Sequence, residues 1–290
     1  MPSIVHLHFI IATTLTLLSI TISMVYEPSN ELQIMLLLLL AGCLGIPHGL
    51  TDMLLLQHFP QFWQKKSVTT LWVTGFIIYC LISALMWFLW WFVPLVAFLI
   101  FIILSLYHFG IEDNAAHGHH EHLHPFILWL HGAFLIFVPL AAHSETVLYF
   151  SQLSHTDWSE IQKISPYIAG LAGGILLLNS FRHSHYMMVT ELLVLFILFL
   201  MVKPLLSFTI YFCIWHTPRH YLRSATKPYI RKFIIIIICI SVISMMVALS
   251  YFYQFQLEKL QNNYIYLDFF KLLGCIVAPH VILAKLTMRK

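Results

Sequence analysis

The stretch Leu95–Glu112, LVAFLIFIILSLYHFGIE, decides how the rest of the chain is read. Its first twelve residues carry one polar side chain, the hydroxyl of Ser105. The run approaches the roughly 20 residues that a helix needs to cross the hydrocarbon of a bilayer. Yet it ends on an imidazole, His108, and a carboxylate, Glu112. Polar groups at membrane depth are costly against lipid, so they face the interior of a helix bundle and there mark sites and pathways. Hydrogen bonding between helices is the plainer role for any one of them.

Working outward, comparable apolar runs recur at 4–25, 33–57, 68–92, 95–112, 125–142, 165–181, 186–202, 205–223, 233–254 and 266–286. The closest neighbours are separated by single turns, one around Trp90, Trp91 and Pro94 and one around Lys203 and Pro204. The expected fold is all-α: a polytopic integral membrane helix bundle of about ten (eight to ten) transmembrane helices, forming a single transmembrane domain over residues 1–290. Composition agrees, at 60% hydrophobic and 9% charged residues, against roughly 25% charged in soluble proteins. The opening run Ile4–Val25 exceeds a signal-peptide core and lacks a basic n-region, so it reads as the first span.

One set of loops and span ends collects Lys65, Lys66, Arg182, Arg219, Arg223, Lys227, Arg231, Lys232, Lys285, Arg289 and Lys290, whereas the other keeps Lys163, Lys203, Lys259 and Lys271. This positive-inside bias assigns the richer side to the cytoplasm. The expectation is a multi-pass protein of the cell (inner) membrane, N-terminus outside and C-terminus cytoplasmic. The net charge of +3 is small and the basic residues form no stripe, so nucleic acid is not an implied partner. The five cysteines lie in apolar runs without a Cys-x-x-Cys pair and say nothing of redox compartment.

Eighteen histidines divide into a polar-loop group and a group embedded in apolar sequence. The embedded group comprises His48 in Gly45-Ile-Pro-His-Gly-Leu-Thr-Asp52, His108, His131, His216 and His220 in Trp215-His-Thr-Pro-Arg-His220, and His280 in Ala278-Pro-His280. Under this topology they share a level in the cytoplasmic halves of their spans. Four residues of helix separate His216 from His220, a rotation of about 40° and a rise of about 6 Å, so both rings share a face suited to one metal. Any two residues so spaced do the same. Asp52 follows His48 by four residues, where its carboxylate would accept the second N–H of a metal-bound imidazole. Glu112 stands in the same relation to His108, at a helix end where water is an alternative partner. Gly45 and Gly49 form the Gly-x-x-x-Gly pattern of close helix packing.

His120-Glu-His-Leu-His124 formally matches the H-E-x-x-H zinc protease motif. That motif needs both histidines on one helical face. This copy lies in the histidine-rich tract 117–124, which Pro125 ends, and is read as a polar loop.

Four blocks together carry a resemblance: Gly45–Asp52, Ser105–Asp113, Tyr211–His220 and Ala278–His280. In order and spacing the chain resembles the Brp/Blh-type β-carotene 15,15′-dioxygenases, membrane proteins that supply retinal to microbial rhodopsins. The blocks reach from about residue 40 to 283, Trp-His-x-x-Arg-His being the most specific. The resemblance implies that His48, His108, His216 and His220 bind a catalytic Fe(II). It implies β-carotene and O2 as substrates, two retinal molecules as product, and a functional link to a retinal-binding rhodopsin. His280 matches a family position whose role stays open, the resemblance gives His131 no role, and the 117–124 tract departs from the family pattern.

Neutral imidazoles suit iron and leave positions open for O2. Tyr107, Phe109, Tyr211, Phe212 and Trp215 neighbour the expected ligands, either as the lining of a polyene tunnel or as ordinary packing. Two other readings compete. A membrane di-iron hydroxylase or desaturase also uses H-x-x-x-H boxes, but needs about eight clustered ligands and an H-x-x-H-H box that this chain lacks. A divalent metal transporter would spread its ligands over successive depths.

Overall fold

The computed structural model describes residues 2–41, 44, 68–116, 124–145, 157–225, 242–243, 246, 250 and 271–282, and every described element is helical. In chain order these are α1 (Pro2–Val25), α2 (Asn30–Leu40), α3 (Val68–Phe92), α4 (Pro94–Ala116), α5 (Pro125–Ala142), α6 (Ser159–Arg182), α7 (Tyr186–Met201) and α8 (Pro204–Ile210). A π-helical turn (Tyr211–His216), α9 (Thr217–Ala225) and α10 (Lys271–Ile282) follow.

The proline punctuation fell where the sequence placed it. Only Val93 separates α3 from α4, and Pro94 opens α4; Pro204 likewise opens α8 after Lys203. A proline at the first helical position loses nothing, because its absent N–H would have no intrahelical partner there. At α5, His124 is the cap before Pro125: its Nδ1 accepts the Phe126 N–H at 3.2 Å. The last histidine of the protease-like match thus serves a helix start, while 117–123 lie outside the described residues. Asp157 Oδ1 similarly accepts the Ser159 N–H at 2.8 Å, a bond that holds its carboxyl below the usual carboxylate range.

Among the described residues five helices are long and apolar enough to cross a membrane: Ile4–Val25, Val73–Phe92, Pro94–Ala115, Pro125–Ala142 and Ser159–Arg182. Among the described residues the count of ten is not reached. At about 1.5 Å per residue, the 16 residues of α7 rise only about 24 Å, short of the roughly 30 Å of hydrocarbon. The span expected at 233–254 lies almost wholly outside the described residues. Polarity is inverted relative to a water-soluble protein: Tyr167 and Leu178 are 79% and 72% exposed on α6, whereas Asp113 and Glu191 are fully buried.

The chain divides into two compact units, each assembled from two stretches: Met1–Ala41 with Leu106–His220, and Gly42–Ser105 with Tyr221–Lys290. In the second, Met86 and Trp90 of α3 pack with Ala97 of α4 and with Cys275 and Ala278 of α10. Tyr79 and Ser83 hydroxyls donate to the carbonyls of Ile276 and Cys275, at 3.1 and 2.9 Å.

The first unit holds the residues of interest. Here α5 packs along α6, and α1 packs against α7 and the π turn. Two glycines bring α4 and α5 into backbone contact. A Cβ on Gly110 would lie 1.9 Å from the Leu128 carbonyl oxygen, and one on Gly132 would lie 1.9 Å from that of Leu106. No side chain fits at either crossing point, which is the small-residue logic of helix pairs in lipid. Through this crossing His131 of α5 comes close to Asp113 of α4.

Candidate metal centre

α4 presents His108, Glu112 and Asp113 in its last three turns, all buried. His108 and Glu112 share a face by their four-residue spacing. Opposite them, the π turn and α9 present His216 and His220, also four apart and buried. The two pairs meet as two rungs. His108 Nε2 lies 3.2 Å from His216 Nε2, and Glu112 Oε2 lies 3.4 Å from His220 Nδ1. The rungs follow in the same sense along both helices.

Asp113 stands behind the first rung. Its Oδ1 lies 3.3 Å from His216 Nδ1 and its Oδ2 accepts the Tyr211 hydroxyl at 2.7 Å. A carboxylate only accepts, so His216 Nδ1 carries the proton and its Nε2 lone pair points at His108. Rings pack round this imidazole: Phe109 edge-on at 4.9 Å and Phe212 stacked at 5.6 Å between centroids. Tyr107 instead packs against Trp129 at 5.5 Å. For Phe109, Tyr211 and Phe212 the observed contact is therefore packing that immobilises His216.

A second layer neutralises charge. Arg219 donates to both oxygens of Glu191 on α7, Nη1 to Oε1 at 2.7 Å and Nη2 to Oε2 at 2.5 Å. Its Nη1 also lies 3.7 Å from Asp113 Oδ2, and its guanidinium lies 5.0 Å from the Trp215 ring centroid. His131 Nε2 lies 3.8 Å from Asp113 Oδ2, so His131 supports the carboxylate from behind instead of joining the first rung. His280 is buried on α10 in the other unit. His48 and Asp52 lie outside the described residues.

Two observations test whether this set fits a metal. Metal–imidazole bonds of about 2.1 Å that subtend about 100° separate two ligand nitrogens by about 3.2 Å, the spacing of His108 and His216. Among the described residues the buried carboxylates and basic side chains other than histidine are Glu112, Asp113, Glu191 and Arg219. Among these four groups three carboxylates stand against one guanidinium, a negative surplus that favours a divalent cation beside neutral imidazoles. The donor set fits. Asp113, His131 and Glu191 also offer atoms within 4.8 Å of one another. That corner is the guanidinium's: Arg219 holds both Glu191 oxygens, and a second cation would be repelled there.

The sequence had pointed to His108, His216 and His220 and had set Glu112 beside His108, but it had not pointed to Asp113 or Glu191. Glu112 is buried beside His220, where solvation had been the alternative. Asp113 takes for His216 the orienting part that Asp52 was expected to take for His48. The available signal was the Glu112-Asp113 pair closing an apolar run and the lone Glu191 inside another.

A family model described as "Beta-carotene 15,15'-dioxygenase" matches residues 39–287. The chain belongs to this beta-carotene 15,15'-dioxygenase family. A curated relative of the same description, from uncultured marine bacterium 66A03, is 28% identical over 182 residues, 61% of this chain and 64% of the relative. The aligned part thus spans less than two thirds of that relative's length. No solved structure matches. The dioxygenase-family match takes in both rungs, Asp113, Glu191 and Arg219, and begins after α1.

Proposed function

We propose that the chain is a membrane-embedded non-haem iron dioxygenase that cleaves the central double bond of β-carotene with O2 into two molecules of retinal. The observation that carries the reading is the facing pair His108 and His216, 3.2 Å apart, with Asp113 behind His216. Membership of the dioxygenase family supplies the substrate class. The ligand set is His48, His108, His216 and His220, with Asp52 orienting His48, and all of residues 1–290 form one membrane domain.

When bound, Fe(II) supplies the activation of O2. The chain's own residues do the rest. Asp113 accepts the Nδ1 proton of His216, and Glu112 stands 3.4 Å from Nδ1 of His220, so that each Nε2 lone pair is left for the metal. Phe109 and Phe212 keep His216 in place and exclude water. One oxygen atom ends in each aldehyde as the C15–C15′ bond is replaced by two carbonyl groups, so the balance needs only β-carotene and O2. A hydrocarbon substrate dissolves in the bilayer, which is a physical reason to build the site from membrane helices, and the product suits a retinal-binding rhodopsin.

The protein is assigned to the cell (inner) membrane. An outside N-terminus with a cytoplasmic C-terminus requires an odd number of spans; ten spans put both termini on the basic, cytoplasmic side. Accessibility of an N-terminal tag decides between them.

The test is expression in cells that accumulate β-carotene, followed by extraction. Retinal is expected from the wild-type chain and none from His108→Ala or His216→Ala, while alanine at His117, His119, His120 and His122 leaves turnover intact. One iron per chain is expected; two would turn the reading to a di-iron oxygenase. Metal uptake into proteoliposomes without carotenoid turnover would turn it to a transporter.

A further inference from the structure

α1 lies outside the residues covered by the family match, yet it grips the segment that carries His216. The reason begins at Pro218. A proline has no N–H, and its ring crowds the carbonyl four residues earlier, here that of Ile214. The chain widens to accommodate it: Tyr211–His216 is a π turn, and the Thr217 N–H reaches back five residues to the Phe212 carbonyl. Such single π turns inside helices are frequent at functional sites. Residue 218 cannot donate to Ile214 in any register, and a buried carbonyl without a donor is costly.

The missing donor comes from another helix. His8 Nε2 lies 3.0 Å from the Ile214 carbonyl oxygen. Because a carbonyl only accepts, His8 Nε2 carries the hydrogen. The contact extends to the next residue. The Trp215 indole N–H donates to Thr16 Oγ1 at 2.8 Å, and the rings of His8 and Phe9 meet Trp215 edge-on at 6.5 and 6.0 Å between centroids. α1 therefore holds residues 214 and 215, immediately before His216, and Trp215 passes that hold to Arg219 through its ring face.

We propose that α1 buttresses the metal centre: His8 replaces the backbone donor that Pro218 removes, and with Thr16 it fixes the wide turn that aims His216. His8 and Thr16 are positioning residues. The inference rests on the reading of His216 as a metal ligand.

The test uses the full chain in nanodiscs, loaded with iron, and reads two quantities: the rate of iron loss to a chelator, and amide hydrogen exchange over residues 211–220. His8→Leu is expected to speed iron loss about tenfold and to raise exchange in that segment. His8→Gln, which keeps an N–H donor, restores both. His6→Leu, at an exposed position of the same helix, changes neither. The sharpest comparison is the Pro218→Ala background, where residue 218 again carries an N–H for Ile214; there His8→Leu speeds iron loss by less than about twofold. Equal effects of His8→Leu in the two backgrounds, or no effect on either readout in the wild type, overturn the proposal. A wild-type chain that binds no iron overturns the metal reading instead, and the exchange pattern still tests the contact with Ile214.

Discussion

Lys163 and Glu160, at the start of α6, approach to 2.7 Å with side chains 68% and 77% exposed. Arg219 and Glu191 approach to the same 2.7 Å with side chains 5% and 0% exposed, and add a second bond. The distances match and the consequences do not. Water and salt screen the first pair and compete for both partners. The second pair has no such alternative, so loss of one member strands the other as a buried charge. In this molecule the burial of an ion pair, more than its length, tells what depends on it. Glu191 and Arg219 keep the charge balance behind Asp113, and Asp113 holds His216.

The contrast breaks hardest at Arg219. Arg219→Met leaves Glu191 and Asp113 facing each other without a cation, and a loss of about 3–5 kcal/mol of stability is expected in reversible unfolding. The double variant Arg219→Met with Glu191→Leu removes both charges and should be less destabilised than Arg219→Met alone. A double variant as unstable as the sum of the two singles would show that the pair acts through packing and not through charge.

Asp113→Asn is the next effect in size. The amide keeps the shape but weakens the acceptor behind His216, and loss of such an outer partner typically costs about 10- to 100-fold in metal affinity. Competitive chelator titration reads this directly. Unchanged iron affinity would separate Asp113 from the metal centre.

Gly132→Ala acts through the helix crossing. The added Cβ meets backbone at Leu106, which cannot rotate aside, so α4 and α5 must part at an expected cost of about 1–3 kcal/mol. Gly170→Ala, where a Cβ would meet nothing within 4 Å, should leave the melting temperature unchanged. The smallest effect belongs to the exposed pair. Lys163→Ala should change neither unfolding nor retinal yield, and a measurable loss at this position would reverse the ranking of the two ion pairs.

Much of the architecture was legible before any coordinates. Helices carry their apolar periodicity and their proline breaks locally, and the starts at Pro94, Pro125 and Pro204 lie where expected. The helical segments that carry His108, His131, His216, His220 and His280 were legible for the same reason. Partner choice was not. Glu112 stands four residues from His108 and shares its face, which made an association within one helix the natural reading; in the structure it also meets His220 of another helix. The i,i+4 rule states which side chains share a face and leaves open which helix that face meets.

The amino-acid sequence by itself determined a helical chain of membrane-like composition with buried imidazoles, because hydrophobic length and turn chemistry act over a few residues. Only the tertiary structure decided that His108 faces His216, that Asp113 stands behind it, and that His8 serves the carbonyl Pro218 leaves open. Those pairings depend on where Gly110 and Gly132 let two helices touch and on how far the π turn rotates His216. Both join residues far apart in the chain, whose meeting no local pattern encodes.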